Sequence, residues 1–146
     1  MLTTDQKGAV AELAIAHRAA ELGVGVFKPL TDGERYDLIF DFRPQLMRVQ
    51  CKTAVLLRGS VLKVACYSAR RTSDGLVKRY YSALEIDAIA AHNTDLDRCF
   101  FIPIEEIPGR SEVLLRFEPC RNNQQLGVNW ARDFELAARL TGLLGP

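Results

Sequence analysis

RYDLIFDFRPQLMRVQCKT, residues 35–53, decides how the rest of the chain is read. Arg35 to Phe42 alternates apolar and polar side chains, the pattern of a half-buried strand. Arg43-Pro44 supplies a tight turn, and Leu46 to Thr53 reads as a second strand, so the segment predicts a hairpin. With a two-residue loop, Phe42 faces Gln45 and Asp37 faces Gln50, and Lys52 lies two residues further along. Side chains repeat every second residue on a strand, so Gln50 and Lys52 share a face with Asp37 opposite Gln50. Tyr36, Leu38, Phe40 and Phe42 then point to the other, fully apolar, face. A slip of one residue would undo this arrangement. In this register a carboxylate, an amide and an ammonium meet on an inner sheet.

Upstream, Thr3 to Gln6 fits a capping box, and a helix is expected to Leu22, closed by Gly23. On that helix Glu12 has Gly8, Ala9, Ile15 and Ala16 as its neighbours three and four residues away. Small side chains there let another element pack closely. A carboxylate so enclosed needs a cation or hydrogen-bond donors. Plainer roles remain open at this point. Asp37 and Lys52 can form an ordinary ion pair, Gln50 can hydrogen-bond at a strand end, and Glu12 can pair with Arg18 or Lys7. Asp41 reads as solvated near the turn and Asp87 as a structural hydrogen-bonder.

Downstream, Val24 to Phe27 is a short strand ended by Pro29, and Val61 to Ser68 a third strand of the meander. Residues 69–79 are polar and basic around the turn Ser73-Asp74-Gly75. Glu85 to His92 fits helix by its alanines and strand by its length. Arg98 to Ile104 and Glu112 to Phe117 are strands, and Asn122 to Gly127 a polar loop. Asn129 is placed as the cap of a last helix from Trp130 to about Leu140. No repeat or linker interrupts this order. The expectation is one α/β (α+β) domain over residues 1–146, with a central mixed β-sheet flanked by helices.

Composition agrees with a folded chain. Of 146 residues, 48% are apolar and 25% charged, which excludes a disordered or collagen-like polymer. No apolar run approaches the ~18–20 residues of a membrane span, and no secretory signal is visible. The four cysteines form no CxxC pair and neither histidine lies near one, which argues against a zinc knuckle. Buried free thiols are expected, hence a reducing, cytoplasmic setting. Net charge is +1, but it is unevenly spread. Residues 45–82 carry eight basic side chains against one acidic, a net +7, while 1–44 carry −2 and 83–146 carry −4. A basic stretch of this kind is either a solvated rim or a phosphate-contacting surface.

KGAVAELAIAHRAAELG (7–23), YDLIFD (36–41) and RVQCKT (48–53), in that order and spacing, resemble the PD-(D/E)XK nuclease superfamily. More narrowly they are similar to the small group I intron-type homing endonucleases, in which glutamine replaces the second acidic residue. The later segments IDAIAAHNTDLDRCFFIPIEEI (86–107) and NWARDFEL (129–136) extend the resemblance over most of the chain. Two motif positions depart from the superfamily: Tyr36-Asp37 stands for Pro-Asp, and Gln50 for an acid. The resemblance implies Mg²⁺-dependent hydrolysis of double-stranded DNA with Glu12, Asp37, Gln50 and Lys52 as the catalytic set, leaving a 5′-phosphate. Asp37, the Gln50 amide oxygen, the Cys51 backbone carbonyl and Glu12 would hold the metal, and Lys52 would orient the attacking water.

Around the Ser-Asp-Gly turn, Arg70, Arg71, Lys78 and Arg79 are the candidate DNA-binding residues, since a two-stranded ribbon enters a major groove. Tyr80 and Tyr81, which follow, are expected in the core rather than stacked on bases. One site cuts one strand, so a double-strand cut implies a homodimer or homotetramer. Cys99 to Ile104, Val113 to Leu115 and the apolar face of the last helix are the expected contacts between copies. A junction-resolvase-like or restriction-type nuclease of the same fold, or a non-catalytic DNA-binding module, are the alternatives.

Overall fold

A computed structural model describes residues 1–118 and 127–146. Cys120 and nearly all of the expected loop from Asn122 lie outside them. Helix α1 spans Thr4–Glu21. Its capping box is made as the sequence implies: Thr3 Oγ1 accepts the Gln6 N–H (3.2 Å), and Gln6 Oε1 accepts the Thr3 N–H (2.9 Å). Ala11, Ile15 and Ala19 form its buried face.

The strands are β1 (Gly25–Phe27), β2 (Leu38–Asp41), β3 (Leu46–Thr53), β4 (Val55–Leu57), β5 (Val61–Ala65) and β6 (Tyr67–Thr72). They continue as β7 (Gly75–Tyr80), β8 (Ala88–Asn93), β9 (Arg98–Pro103), β10 (Glu112–Arg116) and β11 (Asn129–Trp130), before helix α2 (Leu136–Leu144). The central sheet has the order β1-β2-β3-β8-β9, with β3 and β8 parallel and the other pairs antiparallel. The expected hairpin register holds. Leu38 pairs with Val49 and Asp41 with Leu46, and the Phe42 N–H donates to the Gln45 carbonyl at 2.8 Å.

Both helices cover one face of this sheet. There Ile15 and Ala19 meet Leu38, Phe40, Val49, Phe101 and Leu140. The second sheet, β11-β10-β5-β4, covers the opposite face. Its Leu62, Val64, Val113 and Leu115 pack on Ile89, Ala91, Phe100 and Ile102. The α+β class and central mixed sheet stand, while the layer beyond that sheet is strand rather than helix.

Three sequence expectations change. The supposed third meander strand does not join the hairpin. It breaks at Cys66 into β5, which pairs with β4 and β10, and β6, which pairs with β7. Arg58 (φ 51°) and Gly59 (φ 76°) turn β4 into β5 with two successive positive φ values. Of the segment Glu85 to His92, the part from Ala88 resolves as strand β8, every residue of which is buried, while 85–87 lead into it without regular structure. A central strand covered on both faces loses its alternation, which is why it reads ambiguously. The last helix starts later than expected. Ala131–Phe134 is a 3₁₀ turn whose Ala131 and Phe134 enter the strand-side core, whereas Leu136 and Leu140 enter the helix-side core. One continuous helix cannot serve cores on opposite faces of a sheet, so the chain crosses between them at Glu135, which bridges to Phe100.

The elements expected as contacts between copies are interior. Phe100, Phe101, Ile102, Val113, Leu115, Leu136 and Leu140 are each at most 1% exposed. Their apolar character is explained by the two cores of a single chain. Cys51, Cys66 and Cys99 are free and buried. Among the described residues no helix is long and apolar enough to cross a membrane.

Candidate active site

The site forms where the β2–β3 ladder ends. The Asp37 N–H still donates to the Val49 carbonyl (2.9 Å), but β2 begins only at Leu38. The Asp37 carboxylate supplies the next acceptor: its Oδ2 takes the Cys51 N–H at 2.9 Å. Burial pushes the Asp37 carboxyl above the ordinary carboxylate value. The Cys51 N–H and the Lys52 charge oppose that shift, and the Glu12 charge adds to it. The structure therefore half-buries an anion within reach of a second anion.

Gln50 and Lys52 lie on the face of β3 opposite Val49 and Cys51, as the register requires. Gln50 Nε2 donates weakly to the Cys51 carbonyl at 3.4 Å, so two expected metal ligands touch one another. Burial lowers the Lys52 ammonium pKa; Asp37 opposes that and Arg35 adds to it. Asp37 and Lys52 form no ion pair among the described residues. The Lys52 Nζ instead donates to the Tyr67 carbonyl at 2.8 Å, and it lies 5.1 Å from the centroid of the Tyr81 ring.

Glu12 is half-buried on α1 and pairs with neither Arg18 nor Lys7. Its Oε1 accepts from Lys28 Nζ, just beyond β1. That contact raises the Lys28 pKa through the hydrogen bond and the Glu12 charge. Asp87 is structural, as read from the sequence. It takes the backbone N–H, Nε and Nη2 of Arg48 at 2.7, 3.1 and 3.1 Å. Burial disfavours its charge, but the Arg48 contacts outweigh this and hold its carboxyl below the usual range. Asp41 Oδ1 caps the turn by accepting the Arg43 N–H at 2.8 Å.

A family model of PD-(D/E)XK endonucleases matches residues 2–137. The chain belongs to this endonuclease family. A solved bacterial homing endonuclease, I-Ssp6803I, has a similar structure, with a TM-score of 0.77 and 27% identity over 95% of this chain and 93% of its own. Comparison with curated proteins gave no match.

The donors in this endonuclease fit a hard divalent cation. They are carboxylate, amide and backbone carbonyl oxygens, and the half-buried Asp37 carboxylate is the kind of charge that a cation stabilises. Among the described residues no three His, Cys, Asp or Glu side chains converge as a preformed cage. An octahedral ion that keeps several waters does not require one.

The ribbon β6–β7 carries the four candidate DNA-binding residues, but not on one surface. Arg70 pairs with Val77 and Ser68 with Arg79, while Arg71 pairs with Leu76 and Ala69 with Lys78. Arg70 and Arg79 therefore share one face, and Arg71 and Lys78 the other. Arg79 also pairs with Glu85 at 2.9 Å, and Lys78 lies over the Tyr67 ring at 4.6 Å. Tyr80 is 51% exposed, contrary to the core expectation, because it belongs to the ribbon; Tyr81 packs against the strand-side core.

Lys28, Arg35, Tyr81 and Glu85 are site neighbours that sequence reasoning misses. Arg35, two residues before Asp37, is near the site in sequence, and that closeness is the one available signal.

One consequence of the Asp37 environment is measurable. A carboxyl whose folded pKa is raised binds its proton more tightly in the native state, so stability falls as pH rises from its unfolded value through its folded one. Thermal melts in EDTA should show Asp37→Asn gaining stability relative to the parent as pH increases over that window. Parallel curves for the two proteins would contradict the burial of that charge.

Proposed function

We propose that the chain is a Mg²⁺-dependent endonuclease that hydrolyses phosphodiester bonds in double-stranded DNA at a specific site, of the homing type. The observation that carries this reading is the convergence at the end of the β2–β3 ladder. Asp37 accepts the Cys51 N–H and Gln50 touches the Cys51 carbonyl, with the Glu12 charge acting on Asp37 and Lys52 on the same strand face as Gln50. The likeness to a bacterial homing endonuclease supports the narrower reading.

In this mechanism Asp37, Gln50, the Cys51 carbonyl and Glu12 would hold the cation. Bound, it supplies Lewis-acid charge at the scissile phosphate and a more acidic water. Lys52 orients the attacking water and balances charge on the phosphate. Its pKa is lowered, first by burial, which makes the ammonium a readier proton donor than a solvated lysine. Gln50 contributes an oxygen without a charge, so the site is less negative than one with Glu at that position. A double-strand cut needs two such sites, hence a homodimer or homotetramer.

Lys28 competes with the cation for Glu12 in this scheme. Lys28→Met should raise Mg²⁺ affinity by on the order of threefold, the scale of one exposed ion pair, in a calorimetric titration. Weaker binding would mean that Lys28 supports the site rather than occupying its ligand.

The reading is tested by plasmid cleavage with Mg²⁺ or EDTA, using DNA that includes the flanks of the gene. Cutting at one discrete position, in Mg²⁺ alone, is the expected result. Cutting confined to branched DNA would favour a resolvase. Salt-sensitive binding with no cutting of any substrate would leave a DNA-binding module.

A further inference from the structure

The catalytic lysine is held by the foot of the DNA-reading ribbon. Tyr67, whose carbonyl accepts from Lys52, is the first residue of β6, and Tyr81 directly follows β7. Both contacts to the ammonium thus come from the two chain ends where the ribbon joins the domain. Arg35 grips the same place from the segment that leads into Asp37. Its guanidinium lies 4.2 Å over the Tyr81 ring and donates to the Arg79 and Tyr80 carbonyls at 3.2 and 3.3 Å. Glu85 faces both Arg35 (3.6 Å) and Arg79 (2.9 Å). Arg35 Nε is buried and faces Glu85 at ion-pair distance without a hydrogen bond, so the stack, the two carbonyls and Glu85 together fix this side chain. Two cations, one from the lead-in to β2 and one from β3, therefore share one aromatic ring.

We infer that Tyr81, braced by Arg35, is a positioning residue for Lys52, so that the ammonium is aimed only while the ribbon is seated on the domain. The inference rests on the nuclease reading for its catalytic consequence but not for its structural one. An ammonium is drawn to the face of an aromatic ring by the ring's quadrupole, and this attraction is strongest where water is excluded. The ring thereby fixes an otherwise flexible four-carbon stem. The Tyr67 carbonyl provides only a single acceptor for three N–H donors, which by itself leaves the stem free to pivot.

The test uses full-length Tyr81→Leu, which keeps apolar bulk and removes the ring, beside Tyr81→Phe, which keeps the ring. Acetylation of Lys52 by a succinimidyl ester, mapped by mass spectrometry against exposed Lys7, should be ~10-fold faster in Tyr81→Leu and unchanged in Tyr81→Phe, given how loosely an untethered lysine stem is held. Single-turnover cleavage should fall ~30-fold in Tyr81→Leu, within the loss expected for a misplaced catalytic group, while DNA affinity stays within about threefold. Unchanged Lys52 labelling, equal impairment in Tyr81→Phe, or a cleavage loss accounted for wholly by DNA affinity would each overturn the inference. Should Tyr81→Leu fail to fold, Arg35→Lys takes its place. It keeps the charge, loses the planar stack, and should speed Lys52 labelling ~3-fold; no change there would equally overturn it. A parent protein that cuts no DNA would defeat the nuclease reading, and the labelling would still decide the positioning.

Discussion

Lys52→Ala is expected to lower single-turnover DNA cleavage by ~10³-fold or more, the range for loss of a positioned proton-transfer or charge-stabilising group. Folding should be retained. Lys52 has no carboxylate partner within ion-pair distance among the described residues, so its removal breaks no ion pair; it leaves one Tyr67 carbonyl without its donor and takes away one of the charges that support the half-buried Asp37 carboxylate, whose Cys51 N–H bond remains. Asp37→Asn is the matching variant. Its amide oxygen can still accept the Cys51 N–H, so the end of the β2–β3 ladder survives while the charge is lost. Cleavage should fall at least as far as in Lys52→Ala, and Mg²⁺ binding should weaken as well, whereas Lys52→Ala should leave metal binding nearly intact. Retained cutting by either variant would remove that residue from the site. The pair separates two roles that activity alone cannot.

The second large effect concerns the ribbon. Arg70 and Arg79 lie on one face of the ribbon, and Arg79 pairs with Glu85, which also faces Arg35 where it stacks on the Tyr81 ring beside Lys52. A phosphate backbone lying at Lys52 would pass this face rather than the one bearing Arg71 and Lys78. The double replacement Arg70→Ala/Arg79→Ala should therefore weaken DNA binding by ~10–100-fold. It should reduce the slope of log affinity against log salt by about 2, close to one for each phosphate no longer neutralised. Arg71→Ala/Lys78→Ala should cost less. Fluorescence anisotropy across a salt series measures both. Equal losses from the two pairs would mean that the ribbon enters a groove edge-on and uses both faces; no loss from either would return the +7 segment to a solvated rim.

The hairpin at the centre of the fold is legible because alternation, a tight turn and length all agree on one register. The capped first helix is legible for the same reason: Thr3, Gln6 and Gly23 mark its ends independently of tertiary structure. What cannot be read locally are the consequences of having two cores. Strand β8 is buried on both faces, so its alternation vanishes, and β5 leaves the expected meander because it packs across the central sheet rather than beside β3. The apolar strands expected between copies fill the two cores of the single chain instead. At the site, the shared face of Gln50 and Lys52 follows from strand parity, but parity lapses at Asp37: β2 begins only at Leu38, and Tyr36 packs on the strand-side core instead of sharing the face of Leu38, Phe40 and Phe42 as its alternation suggests. Lys28, Arg35 and Tyr81 reach it from the end of β1, the lead-in to β2 and the end of the ribbon, and no sequence spacing links them. The two-faced division of the basic residues is legible in principle, because it follows from the parity of Arg70 and Arg71, adjacent on one strand.

The most direct test of the central claim is the cleavage of supercoiled gene-flanking DNA by the parent protein, stripped with EDTA and then given excess Mg²⁺, beside Asp37→Asn treated identically. The account predicts no cutting by the stripped protein, restoration by Mg²⁺ of cutting with 5′-phosphate ends in the parent alone, and comparable DNA binding by both proteins at low salt. Cutting that persists in EDTA, or that Mg²⁺ restores equally to Asp37→Asn, would contradict a metal site built on the end of the β2–β3 hairpin.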